Sequence, residues 1–297
     1  MFAQFGPASW VLCGLSAAAA ILYGLVLERK PPSFFRALVK AAFLTTLAGA
    51  FALAQPHVLF VHTLLPWAIF VAALLAAALG DFLLAFDKPW VLPLGMIAFL
   101  IMQALYIITF LGRIPDMPNQ PEARLVMAAL IGLVVIVYLI WFWREPRTGR
   151  NPLLALLAIA GAFAIGGAPV VIALTGRFGF YDVGRMYLAP SWMLASVILI
   201  AAIFFMWLRR DLGAVKLAGM VYAAVILQMA FVSLWLPWSG WPVMLGAFFF
   251  LISDGVLSAE LFRLAPEAKA RALTGPVVWW TYAFGQALIA FGVARLA

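Results

Sequence analysis

The chain has 297 residues, 67% of them hydrophobic and 10% charged, with a mean hydropathy of +1.11. No single soluble core buries so much apolar surface, so composition excludes a soluble domain and points to an integral membrane protein. The net charge of +8 would suggest nucleic acid in a soluble protein; here the basic residues sit in short breaks between apolar runs, as topology signals and headgroup contacts, and no nucleic-acid partner is expected.

A membrane helix needs about 20 mostly apolar residues, because every backbone group in lipid is bonded within its own segment. Ten runs meet this: roughly 8–27, 34–54, 64–86, 90–111, 124–143, 151–175, 188–208, 217–236, 241–263 and 275–296. The first has no basic segment before it and no small-residue cleavage site close behind it, so it reads as a retained span. Pro31-Pro32, Pro115 to Pro121, Pro146, Thr175-Gly176, Pro237 and Pro266 mark the breaks. No long soluble insertion interrupts the series. The expected fold is all-α, a polytopic membrane helix bundle of about ten spans forming a single domain over residues 1–297. The lone Cys13 excludes an intrachain disulfide.

Cytoplasmic loops carry the excess of Lys and Arg. Of the nineteen, fourteen fall on one side, at positions 29, 30, 36, 40, 88, 144, 147, 150, 209, 210, 216, 263, 269 and 271; Arg113, Arg124, Arg177, Arg185 and Arg295 fall on the other. Both termini are therefore expected outside the cytoplasm, in what would be a bacterial inner membrane.

The third run, LLAAALGDFLLAF, carries Asp81 behind Gly80; the ninth, GAFFFLISDGVLSAELF, carries Asp254 behind Ser253. A charged side chain at a membrane-helix centre costs roughly 2.5–3.5 kcal/mol on insertion scales, so such an acid faces a partner or a wet cavity and is a functional candidate by default. Both runs head toward the cytoplasm, which puts the acids about 6 and 9 residues from that side, or roughly 9 and 14 Å. Lys40 in the second run lies at a similar level. Ala77 and Ala85 flank Asp81, and Gly246 and Ser258 flank Asp254, small residues that permit close helix approach or leave room for a ligand. The structural alternative is that each acid bonds a neighbouring helix or Lys40. Taken alone, Lys40 snorkels to the interface. Glu260 and Arg263, three apart, read as an interfacial pair.

Uncharged polar residues add to this layer. Gln103 and Tyr106 in MIAFLIMQALYIITF are three apart, and Tyr282 and Gln286 in WWTYAFGQALIAFG four apart, so each pair shares a helix face. Tyr222 and Gln228 in the eighth run lie on different faces. Helix-to-helix bonding and a part in chemistry fit these groups equally. His57 and His62 fall in the break between the second and third runs with no acidic companion, so neither a metal nor a haem is expected. The twelve Trp and twenty-five Phe read mostly as interfacial belt and lipid-facing bulk, and Gly166-Gly167-Ala168-Pro169 as a kink or close contact.

LGDFLLAF followed by LGMIAFLIMQALYIITF resembles the paired third and fourth helices of the YhhN-like lysoplasmalogenase family. GAFFFLISDGVLSAELF resembles its penultimate helix, TYAFGQALIAFG its last and MVYAAVILQM the helix before these. The resemblance covers roughly 79–110 and 219–292, implying a family-like core at 34–110 and 217–296 around a divergent middle at 112–215. It implies a cofactor-free intramembrane hydrolase that cleaves the vinyl ether bond of a lysophospholipid. The family's acids map onto Asp81 and Asp254, and supporting polar residues onto Tyr106, Tyr222, Tyr282 and Gln286; Lys40, Gln103 and Ser253 complete the candidate set. This chain departs from the pattern at three points. The family's helix-four histidine is Gln103, its lysine-proline-leucine motif reads Lys40-Ala41-Ala42, and it has eight spans where ten runs occur here.

Two carboxyls in a dry site suit that chemistry. Protonating the alkene carbon makes an oxocarbenium ion related to that of glycoside hydrolysis, where one carboxyl is acid and the other base or stabiliser. The rival class is a proton-coupled transporter using the acid pair. It predicts an inverted repeat, of which the two halves carry no convincing copy.

Overall fold

The structure is a computed structural model. It describes residues 5–54, 61–86, 88, 90–113, 214–262, 268 and 270–296. The runs expected at 124–143, 151–175 and 188–208, the stretch 166–169, His57 and Arg263 lie outside the described residues.

The described residues form seven α-helices and no strand: α1 (Pro7–Leu22), α2 (Phe34–Leu53), α3 (Val61–Leu84), α4 (Leu92–Leu111), α5 (Ala214–Ser233), α6 (Trp241–Phe262) and α7 (Arg271–Arg295). Each coincides with an expected run to within about four residues. Pro7 and Pro93 sit in the first turns of α1 and α4, where a missing N–H costs nothing, and the Ser33 hydroxyl caps α2 by accepting from the Arg36 N–H at 3.2 Å. His62, expected in a break, belongs to the first turn of α3. Six stretches are long and apolar enough to cross a bilayer: Pro7–Leu27, Phe34–Leu53, Trp67–Leu84, Leu92–Leu111, Trp238–Ser258 and Arg271–Arg295. The described residues are thus all-helical, as in a membrane protein.

It divides into two compact units, Met1–Ile114 with Ser239–Ala297, and Pro115–Trp238. Helix α5 belongs to the second. Tyr222 and Gln228 are half-buried on it.

In the first unit α1 packs on α2, α2 on α3, α3 on α4 and α6 on α7. Side chains such as Leu25, Phe34, Trp90 and Leu273 stand outward and largely exposed, as expected where lipid is the solvent. The interior is stitched by polar groups reaching backbone carbonyls. Ser16 Oγ donates to Phe43 O at 2.6 Å, Trp67 Nε1 to Phe51 O at 2.6 Å and Trp279 Nε1 to Ala20 O at 3.1 Å. Trp67 and Trp279 are therefore core residues, against the belt role expected of most Trp: an indole N–H inside the bundle needs an acceptor, and a helix carbonyl supplies it.

The tightest seam joins α6 and α7. Gly246 and Gly285 face each other so closely that a Cβ on Gly246 would stand 2.6 Å from the Gly285 carbonyl oxygen. Gly246 thus serves backbone approach and leaves no ligand room, which settles one alternative raised by its spacing from Asp254. Gly246→Ala should cost about 1–3 kcal/mol of stability through overpacking against backbone that cannot move aside. Thermal unfolding of the purified variant in detergent checks this; an unchanged midpoint would contradict the seam.

Candidate functional site

Helix α7 touches all of its neighbours in the first unit, and its inward face carries the polar residues. Position 282 meets α3, where the Tyr282 hydroxyl donates to Asp81 Oδ2 at 2.8 Å. The other carboxylate oxygen, Oδ1, lies 3.3 Å from Lys40 Nζ on α2. Asp81 is 1% exposed and the Lys40 side chain 16%, so this is an ion pair inside the bundle, not a surface contact. Lys40 does not snorkel, as its position near a helix end suggested; the buried carboxylate holds it inward.

Aromatic rings close the cationic side. Lys40 Nζ lies 5.6 Å from the centroid of Tyr23 and 5.9 Å from that of Trp279, within cation–π range, and the two rings are 4.3 Å apart. A single π-helical turn, Tyr23–Leu27, extends α1, and its widened backbone bonds Glu28 N–H to Tyr23 O at 2.8 Å. Sequence periodicity pointed to neither ring. Both lie near the ends of their runs, where an aromatic reads as interfacial belt.

One turn along α7 a second polar contact forms. The Tyr106 hydroxyl on α4 donates to Gln286 Oε1 at 2.5 Å, and Gln286 Nε2 lies 3.2 Å from Met102 Sδ. The shared faces read from the sequence are real, but Gln103 and Tyr106 diverge in fate. Tyr106 is bonded, whereas neither Gln103 Nε2 nor Oε1 has a partner among the described residues, although Gln103 is fully buried.

Helix α6 brings the remaining candidates. Ser253 is buried, its hydroxyl donating to Val278 O of α7 at 2.9 Å. Asp254 is half-buried, one turn from Phe250, whose ring lies 5.5 Å from that of Tyr282. Tyr282 thus bonds Asp81 of α3 and packs on Phe250 of α6, with Asp254 a helical turn further along α6.

At the same end of the unit, Glu260 of α6 pairs with Arg271 Nη1 at 3.3 Å and accepts from Thr274 Oγ1 at 2.7 Å. The carboxylate reaches across to the start of α7, where a cation and a hydroxyl meet its two oxygens; Arg263, the partner expected from spacing, lies outside the described residues. Glu28, just past the π turn, lies against Gly275. Burial pushes its carboxyl above the ordinary glutamate range, despite the pull of Arg36 and Arg29, and Glu260 adds to the rise. Among the described residues no cluster of His, Cys, Asp and Glu is fit to hold a metal.

The described helices and this buried polar centre define a membrane protein with an ionic cluster inside its helices. The chain belongs to the YhhN family, which matches over residues 35–175 and 158–293. The match takes in the middle of the chain as well as the stretches that carry the motifs. No curated protein matches, and neither does any solved structure.

Two outcomes test the electrostatics. Lys40→Met should cost about 3 kcal/mol, because it strands a buried carboxylate, and adding Asp81→Leu should recover most of that; thermal unfolding of both variants decides, and additive losses would contradict the ion pair. A carboxyl whose folded pKa is raised contributes stability that is complete below its unfolded value and is lost as pH rises through the folded one. Glu28→Gln should therefore melt above the parent at neutral pH, with the gain vanishing below the ordinary carboxylate range; a gain constant across pH would contradict the assignment.

Proposed function

We propose that the protein is an intramembrane ether hydrolase of ten spans. It takes a lysoplasmalogen-like lysolipid from the bilayer and releases a fatty aldehyde and a glycerophospho-base. The proposal carries over the topology read from the Lys and Arg distribution, with both termini outside the cytoplasm of a bacterial inner membrane and the acids nearer the inner leaflet.

The observation that carries the reading is the environment of Asp81. Its two oxygens face an ammonium and a phenol O–H, both donors, and such partners favour the ionised carboxylate. Asp81 is then the ionised member of the pair, and Asp254, one turn along α6 from the Phe250 ring that packs on Tyr282, is the acid. Asp254 gives its proton to the alkene carbon one bond from the ether-bearing carbon. The oxocarbenium ion that results is stabilised by Asp81. Water bonds to the cationic carbon and yields a proton to Asp81, producing a hemiacetal. Collapse breaks the bond to the glycerol oxygen, which takes the proton held by Asp81, while the hemiacetal hydroxyl proton returns to Asp254. The sum is one vinyl ether and one water giving one aldehyde and one alcohol, with both carboxyls restored.

Lys40 keeps Asp81 charged in a low-dielectric interior, and Tyr282 fixes the carboxylate's orientation. Tyr106 and Gln286 hold α4 to α7 one turn away.

The protein reconstituted in liposomes with a lysoplasmalogen should release aldehyde. Asp81→Asn and Asp254→Asn should each lose about a hundredfold or more in kcat, the range for removing a general acid or base. Full activity in either variant removes that residue from the mechanism; cleavage of another lysolipid by a parent inactive on vinyl ethers would overturn the substrate.

A further inference from the structure

Gln103 is the odd member of the polar column. Helices α3 and α4 run antiparallel, and three contacts set their register. Gly95 lies against Leu84, the Phe99 ring against Gly80, and the Tyr106 ring 5.7 Å from that of Phe70. This register places Gln103 level with residues 73–76 of α3, about one and a half to two turns from Asp81. Along α7, Phe99 meets Tyr282 and Tyr106 meets Gln286, so Gln103 falls between those two levels. The residues of α3 and α7 at that height include Ala73 and Ala283, both buried and small.

A primary amide has two donors and an acceptor with two lone pairs, and a buried one without partners carries a desolvation penalty with no return. Gln103 has 0% exposure, and neither polar atom is bonded among the described residues. The neighbouring polar groups have partners of their own: Tyr282 donates to Asp81, and Tyr106 to Gln286. A polar guest of small size satisfies the amide.

We propose that Gln103 holds the hydrolytic water, its Oε1 accepting from the water and its Nε2 donating to the water oxygen or to a second water. This rests on the hydrolase reading above, in which a dry site must supply one water beside the cation. Gln103 and Asp81 then bracket the cationic carbon along the bundle axis; the held water adds to that carbon from the Gln103 side, and its proton passes to Asp81 by way of the second water. Ordered water at buried polar groups is a regular part of protein interiors, and an unbonded buried amide with small neighbours is the kind of place that holds one.

The test pairs kinetics with stability in Gln103→Leu, a change close to isosteric. The expected result is a loss in kcat of about tenfold to a hundredfold, as for losing one fixed hydrogen-bonding group in a closed site. KM stays within about twofold and the unfolding midpoint is not lowered. A lowered midpoint would mean that the amide bonds helices together, and an unchanged kcat would mean that it holds no reacting water; either overturns the proposal. A raised KM, abolished on a substrate lacking the glycerol 2-hydroxyl, would assign the amide to the lipid hydroxyl and overturn it too. Should the parent show no vinyl ether hydrolysis, the hydrolase reading fails first. An experimental density map then decides separately: solvent oxygen within hydrogen-bond distance of the Gln103 amide supports the water site, and a dry amide overturns it.

Discussion

Placing a carboxylate inside helices bounded by lipid is costly, and a partner must be supplied from within the protein for it to stay charged. In this chain Asp81 draws Lys40 from α2 and Tyr282 from α7 onto one point of α3. Three helices are thereby held in a definite rotation about their axes, because none can turn without stranding a buried polar group. Replacing such a trio by hydrocarbon is often neutral for stability, so its retention argues for work beyond holding helices together. The aromatic pair Tyr23 and Trp279 extends the arrangement to α1.

Helix α7 is where these demands are reconciled. It meets α6 through glycine at 285, α1 through the Trp279 indole, α3 through Tyr282 and α4 through Gln286. Close backbone packing on one side and hydrogen bonds on the other give it little freedom to shift. That rigidity suits a site whose proposed chemistry needs one acid charged and another protonated a short distance apart.

Much of this was legible in the sequence. Apolar runs separated by Pro and Gly located each described helix to within a few residues, because length and hydropathy are properties of a single segment. GDFLL and SDGVL named the two acids, and spacing of three or four put Tyr106 with Gln103 and Tyr282 with Gln286 on shared faces. Contacts between segments were harder to foresee. Lys40 taken alone looked like a snorkelling residue; only its shared level with the acids, read from the topology, offered the pairing that forms with Asp81. The reach of Glu260 to Arg271 and Thr274 at the start of the next helix has no signal in the spacing along its own. Two tryptophans read as belt residues lie in the core. A face can be read from periodicity, but its rotation toward a particular neighbour depends on side-chain volumes in three helices at once.

The account stands on the charge state of Asp81. Infrared difference spectroscopy of the purified protein at neutral pH, comparing the parent with Asp81→Asn and using carbon-13-labelled aspartate, reads that state directly. The account predicts that the substitution removes an ionised carboxylate band; loss of a protonated carboxyl band instead would contradict it.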